Sequence, residues 1–200
     1  MKNKSPKPLP DGESSRNLIL VAGLPGSGKT TVSKILNKHL KGIHIELDQP
    51  KREIIPRDVM LGCASEGRTS PYPLLRQVYQ HACNELSNLV EDSDEKPQFI
   101  IIDECFHSKE FRDMLCEAGE SLGYNTWFIE VICSDEDIVT SRLTGDKKRK
   151  QEHVLEDQGL NMRQAFAKVF EPITERQHYI VDTISDQKRN KDIDAFLSLL

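Results

Sequence analysis

Eight consecutive residues, Gly23-Leu24-Pro25-Gly26-Ser27-Gly28-Lys29-Thr30, follow the spacing G-x-x-x-x-G-K-[ST]. Glycines at these places let successive backbone N–H groups point into one concavity. A helix opening at the lysine adds its partial positive charge, so the segment is suited to hold an anion. In this pattern Lys29 reaches the β- and γ-phosphates of a nucleoside triphosphate and the Thr30 hydroxyl joins a magnesium shell, while Thr31 caps the helix or touches the α-phosphate. Gly23, Pro25, Gly26, Ser27, Gly28, Lys29, Thr30 and Thr31 are therefore the expected nucleotide-binding residues, with ATP and Mg2+ as the expected ligands. With glycine at roughly 7% of residues, chance produces such a pattern in on the order of one chain in a hundred of this length. The apolar strand before it and the amphipathic helix after it lower that further.

Carboxylates come next. In open α/β sheets, ligands lie beyond the carboxyl ends of the strands, so Asp48 and Asp103, each closing an apolar run, should face the phosphate cradle. Moving a γ-phosphate to a hydroxyl needs a base within hydrogen-bond reach, and Asp48 is the choice for it; the alternative is a turn or N-cap aspartate before Lys51-Arg52-Glu53-Ile54. Asp103 ends Phe99-Ile100-Ile101-Ile102-Asp103, which fits a strand whose carboxylate holds magnesium through water. Glu104 beside it opens a fork: a second acid can activate water, making a hydrolase or a nucleotide-dependent switch, or it is a solvated loop acid.

Cations cluster later in the chain, at Arg142, Lys147, Lys148, Arg149 and Lys150. Such a loop can close over ATP, and a planar guanidinium, Arg149 or Arg142, would neutralise charge developing on the transferred phosphoryl. A solvated charge run and a nuclear-localisation patch are the other readings of Lys147-Lys148-Arg149-Lys150. Between Asp48 and Asp103, Arg57, Arg68, Tyr72 and Arg76 would grip an anionic acceptor, or are simply solvated.

The elements that must carry these groups follow from periodicity. Asn17 to Ala22 is a continuous apolar run, as expected of a central parallel strand covered on both faces. From Lys29, Val32, Ile35, Leu36 and Leu40 recur at helical spacing, with Gly42 as the stop. Further strands are expected at Ile43 to Leu47, Phe99 to Asp103, Trp127 to Cys133 and Tyr179 to Asp182. Helices are expected at Leu74 to Val90, Lys109 to Leu122, Glu136 to Leu143, Asn161 to Phe170 and Asp192 to Leu200. This alternation predicts an α/β fold: a three-layer α/β/α P-loop NTPase with a mainly parallel five-stranded sheet. Residues 1–16, rich in Lys, Pro, Ser and Gly, read as a disordered tail; residues 17–200 form one catalytic domain, with a lid at about 143–157.

Composition bounds the function. With 32 acidic against 27 basic residues the net charge is -5, which argues against a broad nucleic-acid surface and leans the acceptor toward a small molecule rather than a nucleic-acid end. No apolar run approaches the roughly 20 residues that span a bilayer, so no membrane partner is expected. Five cysteines without a C-x-x-C pair suggest reduced thiols and a cytoplasmic protein. His44, His107, His153 and His178 lack metal-ligand spacing with those cysteines.

With these residues assembled, the chain resembles the P-loop kinase group that includes the polynucleotide 5′-hydroxyl kinase domain, zeta-toxin-like kinases and the seryl-tRNA(Sec) kinase domain. The carrying segments are Gly23 to Thr31, Asp48, Ile101-Ile102-Asp103-Glu104-Cys105-Phe106 with Arg112, Ser141-Arg142-Leu143, Phe170-Glu171-Pro172 and Tyr179 to Thr183. The resemblance implies an ATP-dependent kinase with Asp48 as base. A cation just after Asp48, Lys51 or Arg52, would contact acceptor or phosphate and be steadied by Asp103. Phe170-Glu171-Pro172 would close the adenine side.

Overall fold

A computed structural model describes residues 15–144, 158–174 and 177–200 of the chain. Five strands, β1 (Asn17–Ala22), β2 (Ile43–Glu46), β3 (Phe99–Asp103), β4 (Asn125–Ile132) and β5 (Gln177–Asp182), form one sheet in the order β2-β3-β1-β4-β5. Every pairing is parallel. The connections are helical: α1 (Lys29–Leu40), α2 (Asp48–Ile54), α3 (Arg57–Ser65), α4 (Tyr72–Glu91), α5 (Lys109–Ser121), α6 (Glu136–Thr144), α7 (Gly159–Val169) and α8 (Asp186–Leu197).

Two apolar cores flank the sheet, which explains why its central strands read as unbroken apolar runs. Leu18, Leu20, Ile100 and Ile102 face one way, onto α4 and α5 through Val78, Tyr79, Ala82, Phe111 and Leu115. Ile19, Val21, Ile101, Ile129 and Val181 face the other, onto α1 and α8 through Val32, Leu36, Ile193 and Phe196. Successive strand side chains point to opposite faces, so each needs an apolar partner only when both faces are covered.

The fold class agrees with expectation, and the departures are local. Two short helices, α2 and α3, occupy the stretch between β2 and α4, for which periodicity predicted no element. Pro56 sits at the N-cap of α3 and Gly67 takes a positive φ just beyond its end, so these residues punctuate helices rather than replace them. The last helix begins at Asp186, not Asp192, because Ser185 caps it by accepting a hydrogen bond from the Lys188 N–H at 3.2 Å. The expected tail, 1–16, lies almost wholly outside the described residues. So does the lid beyond Thr144, with Lys147, Lys148, Arg149 and Lys150.

β1 lies between β3 and β4, where successive connections leave in opposite directions along the sheet. The crevice at the carboxyl ends of β1 and β3 is the place where this architecture receives ligands.

Candidate active site

Residues Gly23–Gly28 leave β1 at that crevice and feed α1, whose N-cap is Gly28 at φ 96. No side chain caps α1 and no acid stands in its first turn, so its leading N–H groups keep their partial positive charge for a ligand. Gly23 and Gly26 are required by geometry. A Cβ on Gly23, at φ 147, would lie 2.3 Å from the Val131 carbonyl oxygen; one on Gly26, at φ 81, would lie 2.9 Å from Leu143 Cγ. Lys29 Nζ donates to the Leu24 carbonyl at 3.3 Å, and the Thr30 and Thr31 side chains are exposed at the rim. The Ser27 side chain turns inward instead, and its buried Oγ has no hydrogen-bond partner. An uncapped helix start, glycines too crowded for a Cβ and a lysine held over the loop together fit a chain of phosphates.

Three side chains hold carbonyls of the loop. Arg142 on α6 donates through Nη1 to the Gly26 carbonyl at 3.1 Å and to Thr183 Oγ1 at 2.9 Å, and through Nη2 to the Thr183 carbonyl at 2.8 Å. Thr183 Oγ1, just after β5, in turn donates to the Ser27 carbonyl at 2.6 Å. Arg163 on α7 donates to the Pro25 carbonyl at 3.0 Å and pairs with Glu136 Oε1 at 2.6 Å. Arg142 was expected to face the transferred phosphoryl; its guanidinium is instead fixed to loop and turn carbonyls, which makes it a positioning residue. Arg163 was not foreseen. One arginine in a polar helix carries no sequence signal, and only the packing of α7 on α6 brings it to the loop.

Beyond β2, Asp48 is the first residue of α2 and is exposed, while Leu47 occupies the N-cap without a side-chain bond. The N-cap alternative for Asp48 therefore falls. Lys51, one turn on, points inward and donates to Glu104 Oε2 at 2.5 Å, whereas Arg52 is exposed. This corrects the expected pairing with Asp103. Asp103 belongs to the α1 face of the sheet, where its Oδ1 meets His44 Nε2 of β2 at 3.1 Å; Glu104, one residue later, turns toward α2.

Glu104 is not a solvated loop acid. It is 8% exposed, with Oε2 on Lys51 and Oε1 accepting the Cys105 N–H at 2.8 Å. Burial pushes its carboxyl up, but the Lys51 ammonium, the Cys105 N–H and the Lys29 ammonium outweigh burial and bring it below its usual value. Lys51 likewise loses by burial and gains more from Glu104 and then Asp48, so its ammonium is held above its usual value. The four charges Lys29, Glu104, Lys51 and Asp48 thus feel one another in sequence, from the glycine-rich loop to α2. Burial also drives the neighbouring Cys105 thiol up to about 12, leaving it inert at neutral pH.

The other expected acceptor cations do not join this group. Arg57, at the start of α3, is exposed, and Arg76 lies 3.9 Å from Glu110. An open depression of about 590 Å3 between α4, α5 and Glu171 takes in Arg76 but no residue of the phosphate loop. The Glu171-Pro172 segment is tied to the β3–α5 connection. Arg112, 1% exposed, donates to the carbonyls of Phe106, Glu171 and Pro172 at 2.9, 2.9 and 3.1 Å.

Among the described residues no helix is long and apolar enough to cross a membrane, and no three His, Cys, Asp or Glu side chains cluster to hold a metal by themselves.

Comparison with known proteins bears on this site. Among solved structures, a sugar kinase from Janibacter sp. superposes with a TM-score of 0.65 at 14% identity, covering 92% of this chain and 93% of its own. A gluconokinase from Sinorhizobium meliloti 1021 superposes at 0.56 with 18% identity, covering 91% of each chain. At these identities the likeness is one of fold. Among curated proteins, the rat 6-phosphofructo-2-kinase/fructose-2,6-bisphosphatase 4 is 26% identical over 145 residues, covering 70% of this chain and 30% of the relative. The corresponding protein of Aquarana catesbeiana is 26% identical over 161 residues, covering 74% and 34%. The chain thus matches about a third of the length of these relatives. The P-loop kinase class expected from the motifs holds, but the particular group they resembled does not carry over. The model of the 6-phosphofructo-2-kinase family matches residues 5–195, nearly the whole chain including the phosphate loop and the Lys51–Glu104 pair, and the protein belongs to that family.

Proposed function

We propose that the protein is an ATP-dependent kinase that moves the γ-phosphate of ATP to a hydroxyl of a small, sugar-type acceptor. The observation that carries this reading is the line of charges from Lys29 through Glu104 and Lys51 to Asp48, which joins a phosphate cradle to an exposed carboxylate. The family, whose name includes a phosphofructose acceptor, and the acidic balance of the chain both favour a small molecule over a nucleic-acid end.

In this reading Lys29 and the N–H groups from Gly26 to Thr31 hold the phosphates, and the Thr30 hydroxyl would help hold the magnesium that the nucleotide brings, which would offset phosphate charge. Asp103, with one oxygen on His44, would help hold that ion. Asp48 takes the proton from the acceptor hydroxyl as its oxygen attacks phosphorus. Lys51, steadied by Glu104, orients the acceptor oxygens. Arg52, Arg57 and Arg76 contribute only through the surface field.

The competing reading, an ATPase or nucleotide-dependent switch with Glu104 activating water, is disfavoured by the site. Both carboxylate oxygens of Glu104 are engaged and its lowered affinity for protons makes it a weak base.

The test supplies labelled ATP and magnesium with fructose 6-phosphate, other sugar phosphates, free sugars, gluconate, nucleosides and 5′-hydroxyl oligonucleotides. Label should appear on a sugar-type acceptor and fall by about 10²–10⁴ in Asp48→Asn, the range for loss of a general base. Steady hydrolysis that ignores every acceptor and disappears in Glu104→Gln would sink the proposal.

A further inference from the structure

The kinase reading leaves one cation without a role. Arg163 reaches the phosphate loop from α7 and is neither exposed nor locked in place: its side chain is 13% accessible, and its ion partner Glu136 is 70% accessible. The geometry points to Arg163 as a catalytic residue of the proposed reaction, its guanidinium passing from the Pro25 carbonyl to the transferring phosphoryl group and neutralising the charge that develops there.

Lys29 Nζ, the group that meets the β- and γ-phosphates, rests on the Leu24 carbonyl, and Arg163 Nη1 rests on the next carbonyl, that of Pro25. Two cations therefore rest on the carbonyls of adjacent residues in the first half of the loop. An arriving phosphate can draw either cation from its carbonyl, since charge-assisted bonds to an anion are about twice as strong as those to a neutral acceptor.

Arg163 is also held exchangeably. An ion pair with so exposed a carboxylate is screened by water and contributes little, so Glu136 releases Arg163 easily. Arg142 offers the contrast, since its guanidinium is fastened to Gly26 and Thr183 and is not available to a ligand. The Arg163 guanidinium presents its donors in one plane, matching the equatorial oxygens of a phosphoryl group in flight.

The chemistry balances without Arg163 forming or breaking a covalent bond. The acceptor oxygen makes the new bond to γ-phosphorus as the bond to the β–γ bridging oxygen breaks, ADP leaves with that electron pair, and Asp48 receives the acceptor proton. Arg163 supplies positive charge while the γ-phosphoryl lies between the two oxygens.

The experiment compares wild type, Arg163→Ala and Arg163→Lys for binding of a fluorescent ATP analogue and of ADP with aluminium fluoride, which imitates the planar phosphoryl; thermal melting checks that each variant is folded. ATP-analogue affinity should change by no more than about threefold, because a group aimed at the transition state adds little to ground-state binding. ADP–aluminium fluoride affinity should fall by about 10²–10³-fold in Arg163→Ala, the range for removing one charge-stabilising donor. Arg163→Lys, which keeps the charge but loses the planar fork, should fall by about tenfold. Equal losses for both ligands would mean that Arg163 only props the loop, and unchanged aluminium fluoride affinity would deny it any role. Either outcome overturns the inference and leaves the kinase reading intact. A wild type that binds the ATP analogue but shows no aluminium fluoride complex overturns both.

Discussion

Replacing Glu104 by glutamine should destabilise the protein far more than so small a change suggests. Glutamine keeps the shape and can still accept the Cys105 N–H, but it removes the negative charge 2.5 Å from the Lys51 ammonium. The lysine side chain is 18% exposed and its partner 7%, so little water is at hand to replace the lost charge. Removing one member of a buried pair costs about 3–5 kcal/mol; the nearby Asp48 carboxylate and the residual exposure of Lys51 place this case near the lower end, at about 3 kcal/mol. For a domain of this size each kcal/mol lowers the melting temperature by about 2–4 °C, so Glu104→Gln should melt about 6–12 °C below wild type.

The sign of the pH dependence follows from the two shifts. The Glu104 carboxyl is held low in the folded protein, so its contribution is complete above an unfolded value of about 4.3 and is lost as pH falls through the folded value. The Lys51 ammonium is held high, so its contribution is complete below about 10.4 and is lost as pH rises through the folded value. The difference between wild type and variant should be flat from about pH 5 to 10 and shrink at both ends. A double replacement, Lys51→Met with Glu104→Leu, should recover most of the stability, because an apolar pair of similar volume avoids the desolvation of both ions. It should not recover phosphotransfer. Urea and thermal denaturation across pH would read all of this. A single variant melting within about 2 °C of wild type, less than 1 kcal/mol, or a double variant no more stable than the single, would refute the idea that the pair is buried and mutually dependent.

Three further outcomes are expected. His107 is buried between the Phe111 and Phe166 rings, and burial pushes its imidazole below its usual value. The unfolded chain therefore binds more protons, and stability should fall by up to about 1.4 kcal/mol per pH unit below about 6.5; His107→Leu should flatten that slope in denaturation curves. Arg142→Ala should raise the KM for ATP by about tenfold or more through loss of its bonds to Gly26 and Thr183, each worth about 1 kcal/mol, while leaving the acceptor KM unchanged in steady-state assays. Gly23→Ala should abolish ATP binding and lower the melting temperature, since the new Cβ meets the Val131 carbonyl at 2.3 Å and neither backbone can retreat without breaking the β1–β4 pairing; an alanine variant that binds an ATP analogue normally in a fluorescence titration would contradict the loop geometry.

The legible parts of this protein were those encoded by local pattern. Glycine spacing marked the loop, unbroken apolar runs marked β1 and β3 as interior strands, and the 3.6-residue period marked α1, α4 and α5. Between β2 and α4 the pattern was weak, because α2 and α3 are short and Pro56 and Gly67 stand at the ends of α3. The Lys51–Glu104 pairing was not legible. The resemblance assigned the cation after Asp48 to Asp103, and only the alternation of side chains past the end of β3 turns Glu104, not Asp103, toward α2.

Sequence alone therefore determined the phosphate cradle, the parallel α/β class and the placement of Asp48 and Asp103 at strand ends, because backbone conformation and burial periodicity act over a few residues. Tertiary structure alone decided which charges meet. It turned Asp103 to His44 and Glu104 to Lys51, fastened Arg142 behind the loop, and carried Arg163 from α7 to Pro25 across 138 positions of sequence. Such pairings depend on which face of the sheet a side chain leaves and on how α6 and α7 pack together, quantities that neither residue type nor spacing contains.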